Sequence, residues 1–196
     1  MRRMIRLALV AGILLLAGGC ASSSAPANRY LLPDAGTAAK DGNPTTEHLL
    51  IVHSPRLAHY LDTDGIVLQL DDITLNAARQ HLWAEPLGRQ LERGLRARLS
   101  ERLTDTRVMR DDASLGRSEA LRLRLEVDRF QGRHDGLAIA SGQWQLLAPD
   151  GRLLAMEPFH AETVLDDDGY PALVRALGSS WDQVAGEIAA GIRQAR

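Results

Sequence analysis

The chain has 196 residues, of which 45 % are hydrophobic and 24 % are charged, and its formal net charge at pH 7 is −2. This length suffices for one domain with a buried core. The near-neutral charge and the aromatic content of 4 % do not suit a nucleic-acid-binding surface, so no nucleic-acid partner is expected. A single cysteine excludes an intramolecular disulfide.

The first twenty residues resemble a bacterial lipoprotein signal peptide. Three arginines lie within residues 1–6, and the apolar run that follows is too short to span a membrane. Small residues then lead to Cys20 in the sequence LAGGC, which is similar to a lipobox. The resemblance implies cleavage between Gly19 and Cys20 and acylation of Cys20. The alternatives are an ordinary secretory signal with an unrelated cysteine, or an N-terminal anchor that is never cleaved.

Residues 20–47 are predicted to form a flexible tether that carries the acylated cysteine. They are rich in small and polar residues, apart from the short apolar sequence YLLP at 30–33, which suits pairing at a sheet edge. No Asp follows Cys20, and by resemblance to the sorting rule of Gram-negative lipoproteins this implies the outer membrane. The predicted division is a signal peptide at 1–19, the tether at 20–47 and a folded domain at 48–196.

The first half of the folded domain is predicted to contain strands followed by one helix. Apolar runs predict strands at 49–52 and 66–70, and two aspartates at 71–72 predict a tight reversal into a third strand. Pro86 suits the first turn of a helix. That helix has an apolar stripe of leucines repeating every four residues: Leu87, Leu91, Leu95, Leu99 and Leu103. The arginines off this stripe are predicted to form a solvated face, with binding of lipid headgroups or an acidic partner as the alternative: Arg89, Arg93, Arg96, Arg98 and Arg102.

The second half is predicted to contain further strands and a final helix. A short strand is expected at 106–109, and the clearest strand, at 119–130, alternates apolar residues with charged ones. A hairpin loop at 132–136 leads into strands at 137–147 and 152–165, giving three consecutive antiparallel strands. Pro158 indicates an edge or a bulge in the last of them.

Aspartates 166–168 are predicted to cap an amphipathic helix that starts near Tyr170. The predicted fold class is α+β: a two-layer domain with a mostly antiparallel mixed sheet and two long amphipathic helices packed on one face.

The sequence contains no catalytic or metal-binding motif. The sequence motifs of serine hydrolases, P-loop nucleotide-binding proteins and zinc proteases are absent, and the six histidines are scattered along the chain. We therefore predict a protein that is not an enzyme and that has no catalytic residues, metal ligands or cofactor.

Several segments, in this order, resemble the PqiC-like family of ABC-type transport auxiliary lipoproteins. They are the lipobox, YLLP at 30–33, LIV at 50–52 ahead of Pro55, YLD at 60–62 with GIV at 65–67, and WAEPL at 83–87. The last of these is the most specific. The resemblance covers essentially the whole mature chain, although residues after 110 match in arrangement more than in sequence.

The resemblance implies an outer-membrane lipoprotein that faces the periplasm and serves as an accessory subunit of an intermembrane lipid transport system. Its partners would be an MCE-domain protein and the cognate inner-membrane permease, and it would dock the MCE assembly at the outer membrane. Family members can form rings, so a homo-oligomeric ring is also implied. The expected partner interface is the charged face of the strand at 119–130, namely Arg122, Arg124, Glu126 and Asp128.

Two other functions stay open at this point. One is a free-standing envelope lipoprotein that binds a small apolar ligand in its own cavity. The other is a periplasmic enzyme whose catalytic residues come from distant parts of the sequence.

Overall fold

The computed structural model describes residues 26–34, 47–111 and 119–196. A single turn of 3₁₀ helix covers His59–Leu61, and the other elements within the described residues are nine strands and two α-helices. Their bounds in chain order are β1 Asn28–Tyr30, β2 His48–Val52, β3 Arg56–Leu57, β4 Gly65–Gln69, β5 Leu75–Trp83, α1 Leu87–Arg102, β6 Thr106–Arg110, β7 Leu121–Arg133, β8 Leu137–Leu147, β9 Leu153–Val164 and α2 Tyr170–Gln194.

Strand β7 is the element around which the sheet is arranged. Its apolar residues Leu123, Leu125 and Val127 are at most 2 % exposed, as the alternating pattern predicts. One edge of β7 pairs antiparallel with β8, and β8 pairs antiparallel with β9. The other edge pairs in succession with β2, β3 and β4, all parallel to β7. β6 extends the sheet beyond β2, while β5 and then β1 extend it beyond β4.

Both helices pack on one face of this sheet. All five leucines of the α1 stripe are at most 3 % exposed, and burying each contributes about 1.5–3 kcal/mol before the entropy of ordering. Helix α2 buries Leu177, Trp181 and Val184 against the same core. The predicted α+β fold with two layers is therefore confirmed.

The aromatic side chains of this core interlock between sheet and helices. The ring of Trp181 meets Phe130 of β7 and Phe159 of β9 edge-on, at centroid distances of 5.8 and 6.1 Å. The indole N–H of Trp181 donates to the carbonyl oxygen of Leu91 at 3.1 Å, which ties α2 to α1. The sheet and both helices thus share one continuous core.

The acidic cap predicted for the last helix is wrong. Helix α2 begins at Tyr170, its N-cap is Gly169, and no side chain caps it. Gly169 has φ of 94°, a left-handed conformation that glycine adopts without strain. Pro171, whose missing N–H suits the first turn, follows. The three aspartates lie before this cap and are exposed.

The turns and edges around β7–β9 refine the sequence pattern. The predicted hairpin loop at 132–136 is shorter than expected, because Gly132 and Arg133 still belong to β7. Gly132 is buried, and a Cβ there would press on the side chains of Leu68 and Leu173. The prediction from Pro158 is confirmed, since among the described strands β9 pairs only with β8.

Candidate functional site

The four residues predicted to contact a partner lie on β7, on the face of the sheet opposite the helices. Arg124, Glu126 and Asp128 are exposed, and Arg122 is half-buried. The structure therefore brings all four onto one surface, and their role as an interface stays a prediction. Cys20, the predicted lipidation site, and Gly19 before it lie outside the described residues.

A β-bulge shapes this surface. The register between β7 and β8 shifts between Val127 and Arg129, so Asp128 is the extra residue of β7. Gly142 lies opposite on β8, and a Cβ there would collide with the carbonyl oxygen of Glu126. Only glycine permits this close approach of the two backbones. Because a bulge increases the local twist, it sets the directions of the charged side chains beside it.

A shallow polar groove runs across the open face beside Arg124. Its lining residues come from β7, from β8 and from the segment around β3: Arg124, Glu126, Gln143, Gln145, His53, Ser54 and Arg56. The Arg56 guanidinium lies 3.3 Å from the Glu126 carboxylate, an exposed ion pair that adds little stability. Among the described residues, the Arg124 side chain makes no hydrogen bond or ion pair. Its guanidinium is therefore available to an anionic group on a partner.

One wall of the groove is fixed to helix α1 by a buried carboxylate. Glu92 is 7 % exposed. Ser54 Oγ donates to its Oε2 at 2.5 Å, while Arg96 Nε and Arg110 Nε lie 3.5 and 3.8 Å from its Oε1. A buried carboxylate needs such partners, because without them its desolvation would destabilise the fold. The contact holds the segment after β2 against the domain, so the groove has a rigid edge.

The N-terminal strap, residues 28–34, lies across the domain at the far edge of the sheet. Its strand β1 pairs parallel with β5, so the predicted sheet-edge pairing is confirmed at Tyr30, but the strand runs from Asn28 and leaves out residues 31–33. Tyr30 Oη lies 2.9 Å from His81 Nδ1, and the His81 ring stacks on Tyr170 of α2 at 4.0 Å. The Leu32 N–H donates to Gln90 Oε1 at 2.8 Å. Part of the predicted tether is therefore held on the folded domain.

Arg98 secures the end of the strap, and its predicted place on a solvated face is wrong. The side chain is 4 % exposed. Its Nη2 donates to the Pro33 carbonyl oxygen at 3.1 Å, and its Nε lies 3.3 Å from Asp182 Oδ1. Burial lowers the pKa of Arg98, and the Asp182 carboxylate opposes that shift. The strap covers this arginine, so helical periodicity alone could not separate Arg98 from its solvated neighbours.

The groove residues on β8 could not be predicted from the sequence. Gln145 lies opposite Arg124, and Gln143 lies opposite Glu126. These pairs depend on where the hairpin turns and on the bulge at Asp128. The sequence pattern predicts a loop that starts two residues too early, and it gives no sign of the bulge.

The described residues offer no obvious chemical centre. Across them, no three or more His, Cys, Asp or Glu side chains are grouped so that they could hold a metal ion. In the same residues, neither helix is long and apolar enough to cross a membrane. The chemistry of the open face is that of a polar contact surface with charges of both signs.

Comparison with known proteins agrees with this architecture. The chain is 35 % identical to the intermembrane transport lipoprotein PqiC of Escherichia coli K12 over 176 residues, which cover 90 % of this chain and 91 % of the relative. A crystal structure of an uncharacterized protein matches with a TM-score of 0.75 and 33 % identity, covering 86 % of this chain and 99 % of that one. A crystal structure from Xanthomonas campestris shares the fold, with a TM-score of 0.65 and 20 % identity over 86 % of this chain and 95 % of that one.

The family resemblance is confirmed by a match along most of the chain. The model of the family described as "ABC-type transport auxiliary lipoprotein component" matches residues 30–189, from the strap to the last turns of α2. The chain belongs to the PqiC-like family of ABC-type transport auxiliary lipoproteins.

Proposed function

We propose that this protein is an accessory lipoprotein of an intermembrane lipid transport system, anchored in the outer membrane through acylated Cys20 and facing the periplasm. The observation that carries the proposal is the 35 % identity to the intermembrane transport lipoprotein PqiC across nine-tenths of both chains. The lipobox-like sequence before Cys20 supports the anchor. Two or three acyl chains are enough to hold a protein stably in a membrane.

In this role the open face of the sheet binds one end of an MCE-domain protein. The inner-membrane permease acts at the other end of that protein. The face presents Arg122 and Arg124 beside Glu126 and Asp128, so it offers charges of both signs on a rigid strand. Charged groups placed this way favour one partner and one orientation more than they add affinity. The helices occupy the other face, so docking here requires no rearrangement of the core.

The carrier alternative receives less support from the interior. A carrier would bind its apolar ligand between the layers, but Trp144, Phe130 and Trp181 fill that space and are each 1 % exposed. Opening such a core would forfeit the burial that stabilises it.

A homo-oligomeric ring is part of the same proposal and rests on the family resemblance. Strands β1, β6 and β9 lie at the borders of the described sheet. Pro158 lacks an N–H and removes one donor from β9, which disfavours continuous strand pairing there. A ring contact at β9 therefore relies on side chains more than on an extended sheet.

The test is gentle detergent extraction of the tagged full-length protein from outer membranes. Mass spectrometry then identifies the N-terminal peptide and the co-extracted proteins. We expect a triacylated Cys20 and the MCE-domain protein. An unmodified Cys20 contradicts the anchor, and acylated protein that carries bound lipid but no MCE-domain protein favours the carrier alternative.

The docking face is tested by the double variant Arg122→Glu with Arg124→Glu. Its matched control is Arg89→Glu with Arg93→Glu, which reverses two exposed charges on the helix layer. Loss of the MCE-domain protein from the β7 variant alone supports the proposed face. Equal recovery with both variants contradicts it.

A further inference from the structure

The β4–β5 hairpin carries an unusual group of exposed apolar side chains. Ile73 at its tip is 86 % exposed, and Leu70 and Leu75 on either side are 44 % and 42 % exposed. Most of the residues that follow along β5 are exposed too, so the hairpin projects from the domain. Isolated exposed leucines need no explanation, but three together at one projecting tip suggest a contact surface.

The tip is a preformed turn. The Asp71 carboxylate accepts hydrogen bonds from the backbone N–H groups of Ile73 and Thr74, at 2.9 and 2.6 Å. The Leu70 N–H donates to the Thr74 carbonyl oxygen at 2.9 Å. These bonds satisfy the backbone N–H groups of Leu70, Ile73 and Thr74, which would otherwise lose their hydrogen bonds to water without replacement if the turn left water. The turn therefore displays Ile73 in a fixed position.

The N-terminal end of strand β1 points along β5 toward this same tip. Strand β1 is parallel to β5, with Asn28 beside His81, so the residues before Asn28 come from the end where β5 begins. Eight residue steps separate Cys20 from Asn28, a reach of at most about 28 Å. The six steps from Leu75 to His81 span about 20 Å of strand. Along this direction Cys20 can therefore lie only a short distance beyond the tip.

We propose that the tip formed by Leu70, Ile73 and Leu75 inserts into the surface of the membrane that holds the Cys20 anchor. The inference rests on the anchor in the proposed function. The tip then acts as a second contact that fixes the tilt of the domain and turns the opposite end, with the C-terminus and the β8–β9 turn, away from the lipid.

The charges around the tip determine which kind of lipid surface it enters and how deeply the tip inserts. Asp71 and Asp72 belong to the turn, whereas Asp135 on the neighbouring β7–β8 turn is paired with the Arg133 guanidinium at 2.7 Å. The carboxylates of Asp71 and Asp72 disfavour an anionic surface and favour zwitterionic headgroups. They also keep the turn at headgroup level, so that the Ile73 side chain enters the acyl region while the backbone stays among the headgroups.

The test uses the full-length acylated protein with one introduced thiol. Acylation blocks Cys20, so an environment-sensitive fluorophore attaches only to Ile73→Cys, or to Leu153→Cys as the control. Leu153 is 48 % exposed and starts β9 at the opposite end of the sheet. Both proteins are reconstituted into phosphatidylethanolamine–phosphatidylcholine vesicles that contain lipids brominated on their acyl chains.

We expect quenching of about twofold or more at position 73 and none at position 153, with weaker quenching at 73 when anionic lipid is added. If Cys20 is acylated by mass spectrometry and the label at 73 stays as unquenched as the control, the inference is refuted while the anchor stands. An unmodified Cys20 overturns both. Quenching at 73 in protein that recovers no MCE-domain protein supports the inference and contradicts docking.

Discussion

Replacing Arg98 by Met tests how the strap is held. The change removes the guanidinium that donates to the carbonyl oxygens of Pro33 and Gly94, both at 3.1 Å, and that faces Asp182. Methionine keeps most of the apolar stem, so packing changes little.

The magnitude follows from these contacts. A hydrogen bond from a charged donor contributes about 1.5–3 kcal/mol. Pro33 is exposed, so its carbonyl recovers a bond to water. The half-exposed Asp182 keeps Arg102 at 2.8 Å, so the loss of that ion pair adds little. Arg98 also no longer has to be desolvated. The net loss in the free energy of unfolding is therefore about 1–2 kcal/mol.

The assay is urea unfolding together with amide hydrogen exchange. Arg89→Met, an exposed position on the same helix, is the control, and its change should stay within about 0.5 kcal/mol. In Arg98→Met the Leu32 amide, which is bonded to Gln90, should exchange faster because the strap opens more often. If Arg98→Met is no less stable than the control and the Leu32 amide keeps its protection, Arg98 does not secure the strap.

Three further predictions concern the packing of α2, the bulge and the pH dependence of stability. A Cβ on Gly191 would press into the Trp144 ring, whereas one on Gly186 meets no atom closer than 3.9 Å. Gly191→Ala should therefore lower the melting temperature, while Gly186→Ala should raise the free energy of unfolding by about 0.5–1 kcal/mol. Equal effects of the two substitutions would contradict the helix–sheet contact at Gly191. Gly142→Ala should lower the free energy of unfolding by about 2 kcal/mol or more, because the backbone of β7 must move; an unchanged urea midpoint would refute the close approach at the bulge. Hydrogen bonds from Thr106 and Arg196 lower the pKa of Asp105, so its contribution to stability is present above about pH 4 and is lost as the pH falls through the lowered pKa. Asp105→Asn should therefore reduce the slope of the urea midpoint against pH below about pH 4, and an unaltered slope would contradict that role.

Local periodicity was enough to predict the layers of this fold. The four-residue spacing from Leu87 to Leu103 requires a helix with one buried stripe, and the alternation around Leu123 and Leu125 requires a strand with one buried face. Both patterns repeat over enough residues to fix the element type and the side that faces the core. For the same reason the charged face of β7 could be predicted before the structure was known.

The features that could not be predicted from the sequence depend mostly on contacts between distant parts of the chain. Arg98 is buried only because residues 65 positions earlier cross over it. The sequence feature that comes closest to indicating this burial is Gly94. It lies one turn before Arg98 on the same side of α1, where the indole of Trp181 lies close. The prediction of an acidic cap for α2 is wrong for another reason. Gly169 supplies a left-handed φ at the N-cap, and this backbone geometry outweighed the acidic residues before it. The groove residues Gln143 and Gln145 required the register that the turn and bulge determine.

We propose that the open face of β7 docks an MCE-domain protein at the outer membrane. Photocrosslinking in intact cells tests it most directly, with a photoreactive amino acid at position 124 and, as the control, at position 89 on the exposed surface of α1. We expect a crosslink to the MCE-domain protein from position 124 and none from position 89. Crosslinks from the helix surface alone, or from neither position in cells where Cys20 is acylated, would contradict it.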